Sequence, residues 1–492
     1  MKFNKVIPAL ILAIAVLGLT SCKKEYSSST GWEVNNPKNG GFEVRPYSEQ
    51  PTGPGLVFIE GGNFTMGETQ DDIMFDWSNQ PRRVTVSSFY MDQTEVRNLD
   101  YIEYLYWLNR VYSTDYPGVY KKALPDTLVW RDKLAYNEPL VEYYFRHPAY
   151  RTYPVVGVSW VQANDYCAWR TNMVNEMLLI QRGILAMDPA QKNENSFNTE
   201  AYLAGQYEGL PDKLLPDLSP NGTGKRKAKM EDGILLPKYR LPTEAEWEFA
   251  ALGLMGNTLY ERIVEKKNYP WNGNFVRTSE SKYYGSFMDN FRRAKGDYMG
   301  VAGNLNDGAD VPASAGAYFP NDYGLYNMAG NVSEWVLDVY RPLSSTEVSD
   351  LHPFRGNVFK TQVRNPDGTL AEKDSLGQMK YRDVTIAESF NRKNYKSADN
   401  INYLDGDYAS NIEVDNWKSP PKDTSSTNLM YDYGKSSLIT DQVRVYKGGS
   451  WKDPAFYLSP GTRRFLDQNE SSDCIGFRCA MTRVGGSIPG KK

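Results

Sequence analysis

The sequence predicts an α+β chain with much of its length in loops, and three observations point there. Strand-like runs are short and flanked by glycine or proline, as at Leu56–Ile59 and Val84-Thr85-Val86. Helical stretches carry their own start signals, as where Thr243 precedes Glu246 by three residues. Between these pieces run long polar stretches without helical or strand period. The chain has 492 residues, 40% hydrophobic and 24% charged, enough for a large core or more than one domain. With a net charge of −4, no strong pull toward nucleic acid or anionic membrane is expected. With 35 Tyr and 11 Trp, the chain is rich in side chains that join an apolar body to a polar tip, which suits loop-rich domains and interaction surfaces.

At the N-terminus Lys2 and Lys5 precede an apolar run over 6–19, the pattern of a secretory signal over 1–21. The run is too short for a transmembrane helix. It ends Leu19-Thr20-Ser21-Cys22, which resembles the bacterial lipobox and makes Cys22 the expected lipidation site. The alternative is an ordinary cleaved signal with an incidental Cys. Polar residues with Ser, Gly, Asn and Pro then predict a flexible tether over 22–54, ahead of a domain over 55–484 and a tail over 485–492.

Within the domain, Leu56–Ile59 and Phe64-Thr65-Met66, joined by Gly61-Gly62, read as a hairpin. Val84-Thr85-Val86 alternates as a strand and Phe89–Asp92 continues the sheet. Apolar residues at helical spacing then run from Thr94, a candidate N-cap, to Trp107. Glu244, Glu246 and Glu248 read together as helix-start chemistry. At 324–335 the phrase GLYNMAGNVSEW is too rich in Gly and Asn for a strand and too interrupted for a helix. It reads as a tight loop between aromatic residues. Either its oxygens gather a hard cation, or Gly330 at positive φ merely closes a turn.

Taken in order, GGNFTMG, PRRVTV, SFYMDQTEVRNLDY, PVVGVSW, RLPTEAEWEFAA, YPWNG, GLYNMAGNVSEW, YKGGSW and GFRCA resemble the formylglycine-generating-enzyme, or sulfatase-modifying-factor, domain. The resemblance implies a loop-rich variant of the C-type-lectin fold, an architecture the periodicity merely tolerates. Insertions over 108–153, 171–237 and 342–442 interrupt it. The second is expected to begin as a helix over 172–185 and to carry Lys225 to Lys229 as a solvated basic loop.

The resemblance also assigns residues. Enzymes of the family use two Cys beside the GGSW phrase to bind copper, and by spacing those positions here are Asp453 and Leu458, so no copper site is expected. Only two His, His147 and His352, are present, too few for the iron site of related enzymes, and both read as structural loop residues. The family's structural Ca²⁺ sites would fall on Asn327, Gly330, Val332 and Glu334, and on Asn290, Phe291, Asp307 and Ala309 or Asp310. Its disulfide would join Cys167 to Cys479, with Cys474 left over.

With the lipobox, the missing thiols and the Tyr-rich insertions, the chain further resembles the gliding-motility lipoproteins of Bacteroidota. TGPGLVF, QDDIMFDW, ALPDTLVWR and RHPAY favour the GldJ type over the sister GldK type. This implies a non-enzymatic scaffold on the outer membrane, on its periplasmic face, with partners among the gliding and type IX secretion envelope proteins and none among nucleic acids. Two alternatives are an enzyme with an unrecognised site and a lectin-like carbohydrate-binding module.

Overall fold

The computed structural model describes residues 24–46, 48–67, 79, 81–209, 213–220, 222, 224–292, 309, 311–340, 360–385 and 442–485. Cys22, Asp307, Asp310, His352 and most of the third insertion lie outside these residues. Among the described residues, no helix is long and apolar enough to cross a membrane. The chain divides into two units. The larger comprises Glu49–Leu178, Met187–Gly209 and Leu236–Lys492.

Two four-stranded sheets organise the larger unit. The first has strand order β1 (Leu56–Ile59), β4 (Phe89–Asp92), β10 (Ala480–Thr482), β5 (Tyr239–Arg240), all antiparallel. The second runs β8 (Arg464–Asp467), β7 (Val443–Lys447), β6 (Ser333–Val339), β9 (Ile475–Gly476), and only the β6–β9 pair is parallel. A separate hairpin pairs β2 (Gly62–Met66) with β3 (Arg82–Val86). The expected pairing of the first two strand runs is therefore wrong: β1 takes β4, register Leu56 with Asp92, and β2 takes β3. Both outer runs alternate as strands, and nothing local in the sequence names the partner.

Three longer helices pack on the sheets. In α1 (Asn98–Tyr112) the buried residues Tyr101, Tyr104, Leu105, Leu108, Val111 and Tyr112 repeat every three or four positions and cover one face. Its start falls four residues after the expected cap. Val96 remains extended, donating to the Phe477 carbonyl and accepting from Val155, and Asp100 caps the helix by accepting from the Arg97 N–H at 3.1 Å. Helix α2 (Trp160–Gln181) runs continuously through the expected insertion boundary at 171, and ends before 185. Helix α3 (Glu244–Leu252) has the predicted capping box: Thr243 Oγ1 accepts from Glu246 N–H at 3.1 Å, and Glu246 accepts from Thr243 N–H at 2.9 Å. Gly253, at φ 55°, ends it.

Two apolar cores follow. One gathers α1, α2, Trp335, Phe477 and Met481, with Tyr101 stacked on Tyr166 at 5.7 Å. The other joins Ile59, Phe64, Phe89, Met91, Trp247, Phe249, Val336 and Val445. Burying each such side chain contributes roughly 1.5–3 kcal/mol. The first insertion is ordered around Pro117–Ala123 and Glu138–Tyr143, and its Trp130 stacks on Trp451 with ring centroids 6.0 Å apart. In the third insertion, Lys360–Gln362 pairs with Tyr381–Asp383, two three-residue strands too short to leave a period in the sequence.

The smaller unit holds two further corrections. The tether carries an antiparallel bridge between Tyr26 and Glu33, and a 3-10 turn, Pro37–Asn39, capped by Asn36. In the basic run, Lys225–Arg226 pairs with Leu215–Pro216, and Arg226 bonds Glu43 at 2.6 Å and Asp232 at 2.7 Å. Arg226 is thus a paired cross-link and not a solvated charge.

Candidate functional site

The loop over 324–335 leaves Asn321, whose side-chain oxygen accepts from the N–H of Tyr323 and of Leu325 at 3.1 Å each. Four of its residues take the left-handed region: Gly324 (φ 82°), Asn327 (53°), Gly330 (86°) and Asn331 (56°). Gly330 is obligatory for a second reason, since a Cβ there would sit 2.5 Å from the Asn290 carbonyl oxygen. The last three residues open strand β6, a detail the loop reading did not foresee.

Under this loop lies a buried polar hub. The Asn327 amide donates to both Glu95 oxygens, at 3.0 and 3.1 Å, and to the Ala315 carbonyl. Asn331 donates to Glu95 at 2.9 Å and accepts from Ala313 N–H at 2.7 Å. Glu334 is held by Arg478 at 2.6 and 2.7 Å and by the Trp247 indole N–H at 2.8 Å. Arg478 also donates to the carbonyls of Tyr326 and Asp92, tying loop, β4 and β6 together. Both charges are fully buried. Burial, with the Glu334 charge nearby, pushes the Glu95 carboxyl up to about 7 against the partial relief of Arg478. Burial likewise pushes Asp289 well above the usual carboxylate range.

The expected calcium ligands therefore separate. Asn327 keeps a buried side-chain oxygen with no partner, and hard cations take such neutral oxygens beside carboxylates. Three carboxylates, Glu95, Asp289 and Glu334, meet one buried guanidinium, Arg478, so the hub is short of positive charge. That much fits a cation. Glu334 fits less well, because both its oxygens already serve Arg478 and Trp247. Val332 packs its side chain with Trp130 and Trp451. In the second set, Asn290 donates to the Val311 carbonyl at 3.0 Å, Phe291 is buried beside Phe287, and Ala309 is described. Among the described residues, no three His, Cys, Asp or Glu side chains gather as a metal site.

The window over 448–458 is built differently. Asp453, at one expected thiol position, is bidentate to Arg464 at 2.7 Å for both bonds and accepts from Ser450 Oγ at 2.5 Å. Leu458, at the other, is fully buried beside Phe287 and Ala329. Below it, Lys447 bonds Glu248 at 2.9 Å and Glu244 at 3.4 Å, and Arg463 bonds Glu244 at 2.6 Å. Glu244 and Glu248 are thus buried ion-pair partners; of the three acids, only Glu246 does the expected helix-start work. Burial opposes the charge of Glu244, yet Arg463 and Lys447 hold its carboxyl down to about 2. Asp338, whose carboxylate accepts from Glu244 N–H, is pushed up to about 7 by burial and by Glu244.

Cys167 and Cys479 are buried free thiols with their Sγ atoms 3.3 Å apart. Cys474 contacts Ser472 instead, at 3.1 Å. His147 caps the turn Pro148–Tyr150, its Nδ1 accepting from Ala149 N–H. Glu95, Asp289, Asn331, Asp338 and Arg478 were not singled out from sequence. Two signals were available: Asn327 and Asn331 repeat four apart around Gly330, and Arg478 sits inside GFRCA.

Residues 42–483 match the model of the sulfatase-modifying factor enzyme 1-like domain. The formylglycine-generating enzyme of Mus musculus is 26% identical over 365 residues, covering 67% of this chain and 70% of that protein. The inactive C-alpha-formylglycine-generating enzyme 2 of the same species is 25% identical over 321 residues, 62% of this chain and 73% of its own. Among solved structures, PvdO from Pseudomonas aeruginosa aligns over 87% of this chain and 94% of its own, at 15% identity and a TM-score of 0.41.

Proposed function

This chain belongs to the sulfatase-modifying-factor family, and on that premise we propose that it is a non-enzymatic member acting through protein–protein contacts. The observation that carries the reading is the 448–458 window. One expected thiol position is an aspartate locked to Arg464, and the other is a buried leucine. Neither offers a soft ligand for copper or a nucleophile for a substrate thiol. The family also includes members named as inactive.

The finer reading is a lipid-anchored scaffold of the outer membrane, held through Cys22 on the periplasmic face and serving gliding motility and type IX secretion. Its support is the lipobox and the phrases shared with the GldJ type. Structural Ca²⁺ at the 324–335 loop belongs to the same reading, supported by the partnerless Asn327 oxygen. So does a Cys167–Cys479 bridge, supported by the 3.3 Å approach of the thiols, which a small movement would bring to bonding distance. Non-reducing peptide mapping reads the bridge directly.

The test of the non-enzymatic reading is incubation of the purified chain with copper, oxygen and a sulfatase-type peptide carrying the target Cys. Mass spectrometry should find the peptide unchanged; formylglycine in it would overturn the reading. For the scaffold role, deleting the gene in its host should abolish surface spreading and secretion, with rescue by the wild-type chain and none by Cys22→Ala. A deletion strain that spreads and secretes normally would defeat it.

A further inference from the structure

A cleft of about 490 Å³ lies between Pro54-Gly55, the start of α1 and one face of α2, and none of the 324–335 loop or the 448–458 window lines it. Tyr166, Trp169, Met173, Val174 and Met177 line it at intervals of three and four residues, so a single stripe of α2 forms its apolar wall. That stripe belongs to a core-facing helix, yet at its far end Met177 is 37% exposed.

The other walls are charged, and their balance is uneven. Asp92, Asp100 and Glu103 face the cleft against Arg97 and Arg170, while the carboxylate of Glu95, which also borders it, is turned into the hub and bonded to Asn327 and Asn331. Both guanidinium groups are already bidentate to carboxylates, Arg170 to Asp92 at 2.7 and 2.8 Å and Arg97 to Asp100 at 2.9 and 2.8 Å. Glu103 is exposed at the mouth and has no ion-pair partner among the described residues. On the same exposed stripe of α1 stand Leu99, 43% exposed, and Tyr106, 68% exposed, four residues before and three after it. One unpaired carboxylate at the mouth, Glu103, with an aromatic and thioether wall and apolar shoulders, describes a receptor for a long cationic side chain with an apolar stem.

We propose that this cleft seats an arginine side chain presented by an extended segment of a partner protein. The stem lies along Met173 and Met177, whose flexible thioethers adapt to its path. The planar guanidinium suits the aromatic wall better than an ammonium would, and its fork is matched by the Glu103 carboxylate. Leu99 and Tyr106 receive the apolar neighbours of that arginine. The proposal rests on the protein-contact reading for its use in the cell, but the recognition chemistry stands on the cleft alone.

Methionine-methyl NMR on the full chain tests it, because Met173 and Met177 are built-in reporters. The probe is the peptide Ac-Gly-Leu-Arg-Leu-Gly-amide, with counterparts carrying Gln or Glu in place of Arg. The arginine peptide should shift both methyl signals saturably and the Gln peptide should bind more weakly. Glu103→Gln, a surface change that leaves the fold intact, should weaken the arginine peptide about two- to fivefold, the range of one exposed ion pair. Glu103→Arg should abolish that binding and favour the Glu peptide. Equal binding of the Arg and Gln peptides, no saturable shift, or indifference to both Glu103 variants would each overturn the proposal. These outcomes are separable from the enzyme assay: formylglycine formation would remove the scaffold reading and leave the cleft standing, and an arginine-indifferent cleft would do the reverse.

Discussion

Glu334 and Lys447 are register partners on neighbouring strands, yet each belongs to a different buried charge system. Around Glu334 the carboxylates outnumber their counter-charges: Glu95, Asp289 and Glu334 share Arg478. Around Lys447 the balance is reversed, with Arg82, Lys266, Lys447 and Arg463 facing Glu244, Glu248 and Asp338. Desolvating a charge costs several kcal/mol unless it is matched. The second system gives Glu244 and Glu248 direct cation partners and leaves Asp338 to the Glu244 N–H. The first leaves Glu95 and Asp289 to amide and backbone N–H groups. The difference makes the first system the one whose charge an added cation would relieve.

The sharpest way to break this contrast is to delete one cation from each side. Arg478→Met strands Glu334 and should cost about 3–5 kcal/mol, read as a lower denaturant midpoint. Lys447→Met should cost clearly less, because Glu248 keeps Lys266 and Glu244 keeps Arg463. Equal losses would erase the distinction.

Titration probes both systems next, since each holds one acid pushed up by burial. Glu95 and Asp338 have folded values of about 7 against ordinary values of 4.5 and 3.8. The folded state holds their protons more tightly, so stability should fall by a few kcal/mol as pH rises from about 4.5 to about 7. Glu244 works the other way: held down at about 2 from 4.5, its contribution is present above pH 4.5 and lost as pH falls toward 2. Chemical denaturation across pH should show a maximum between these limbs, and Glu95→Gln should shrink the upper limb to the share of Asp338 while leaving the lower limb unchanged.

Calcium addition comes third. A site short of positive charge should gain about 2.7 kcal/mol at a hundredfold excess over Kd, and chelator should reverse the rise in Tm. Asp289→Asn, which removes part of the carboxylate surplus, should stabilise the calcium-free chain and shrink that shift. An unchanged Tm with calcium would count against the ion. The smallest effect is a control outside both systems: Thr243→Ala removes one helix cap and should cost about 1 kcal/mol.

What could be read from the chain follows the range of each interaction. The Thr243–Glu246 box spans three residues, and the structure forms it as written. Gly330 at positive φ was legible because a glycine in a Gly- and Asn-rich phrase marks a tight turn, though the Asn290 carbonyl that bars a Cβ there lies 40 positions away. Family phrases in order gave the α+β fold, since they sample the whole core at once. The hub was illegible: Asn327 meets Glu95 across 232 positions, and Arg478 meets Glu334 across 144. No period or spacing marks such pairs. Glu244 and Glu248 were misread for the same reason, because helix-start acids and buried ion-pair acids look alike until Arg463 and Lys447 arrive from far along the chain. The late start of α1 has a tertiary cause too, since Phe477 and Val155 claim the backbone of Val96.

The stack of Trp130 on Trp451 bears on how this domain can be edited. Trp130, Val141 and Tyr144 come from the first insertion, and Val156, Val332 and Trp451 from the family core, yet they form one cluster. Excising 108–153 to recover a minimal domain would bare the Trp451 indole and the Val332 side chain to water. The shortened chain should be sticky and poorly soluble. The segment over 108–153 thus serves as a plug over Trp451 and Val332, and a domain trimmed of it loses part of its own core.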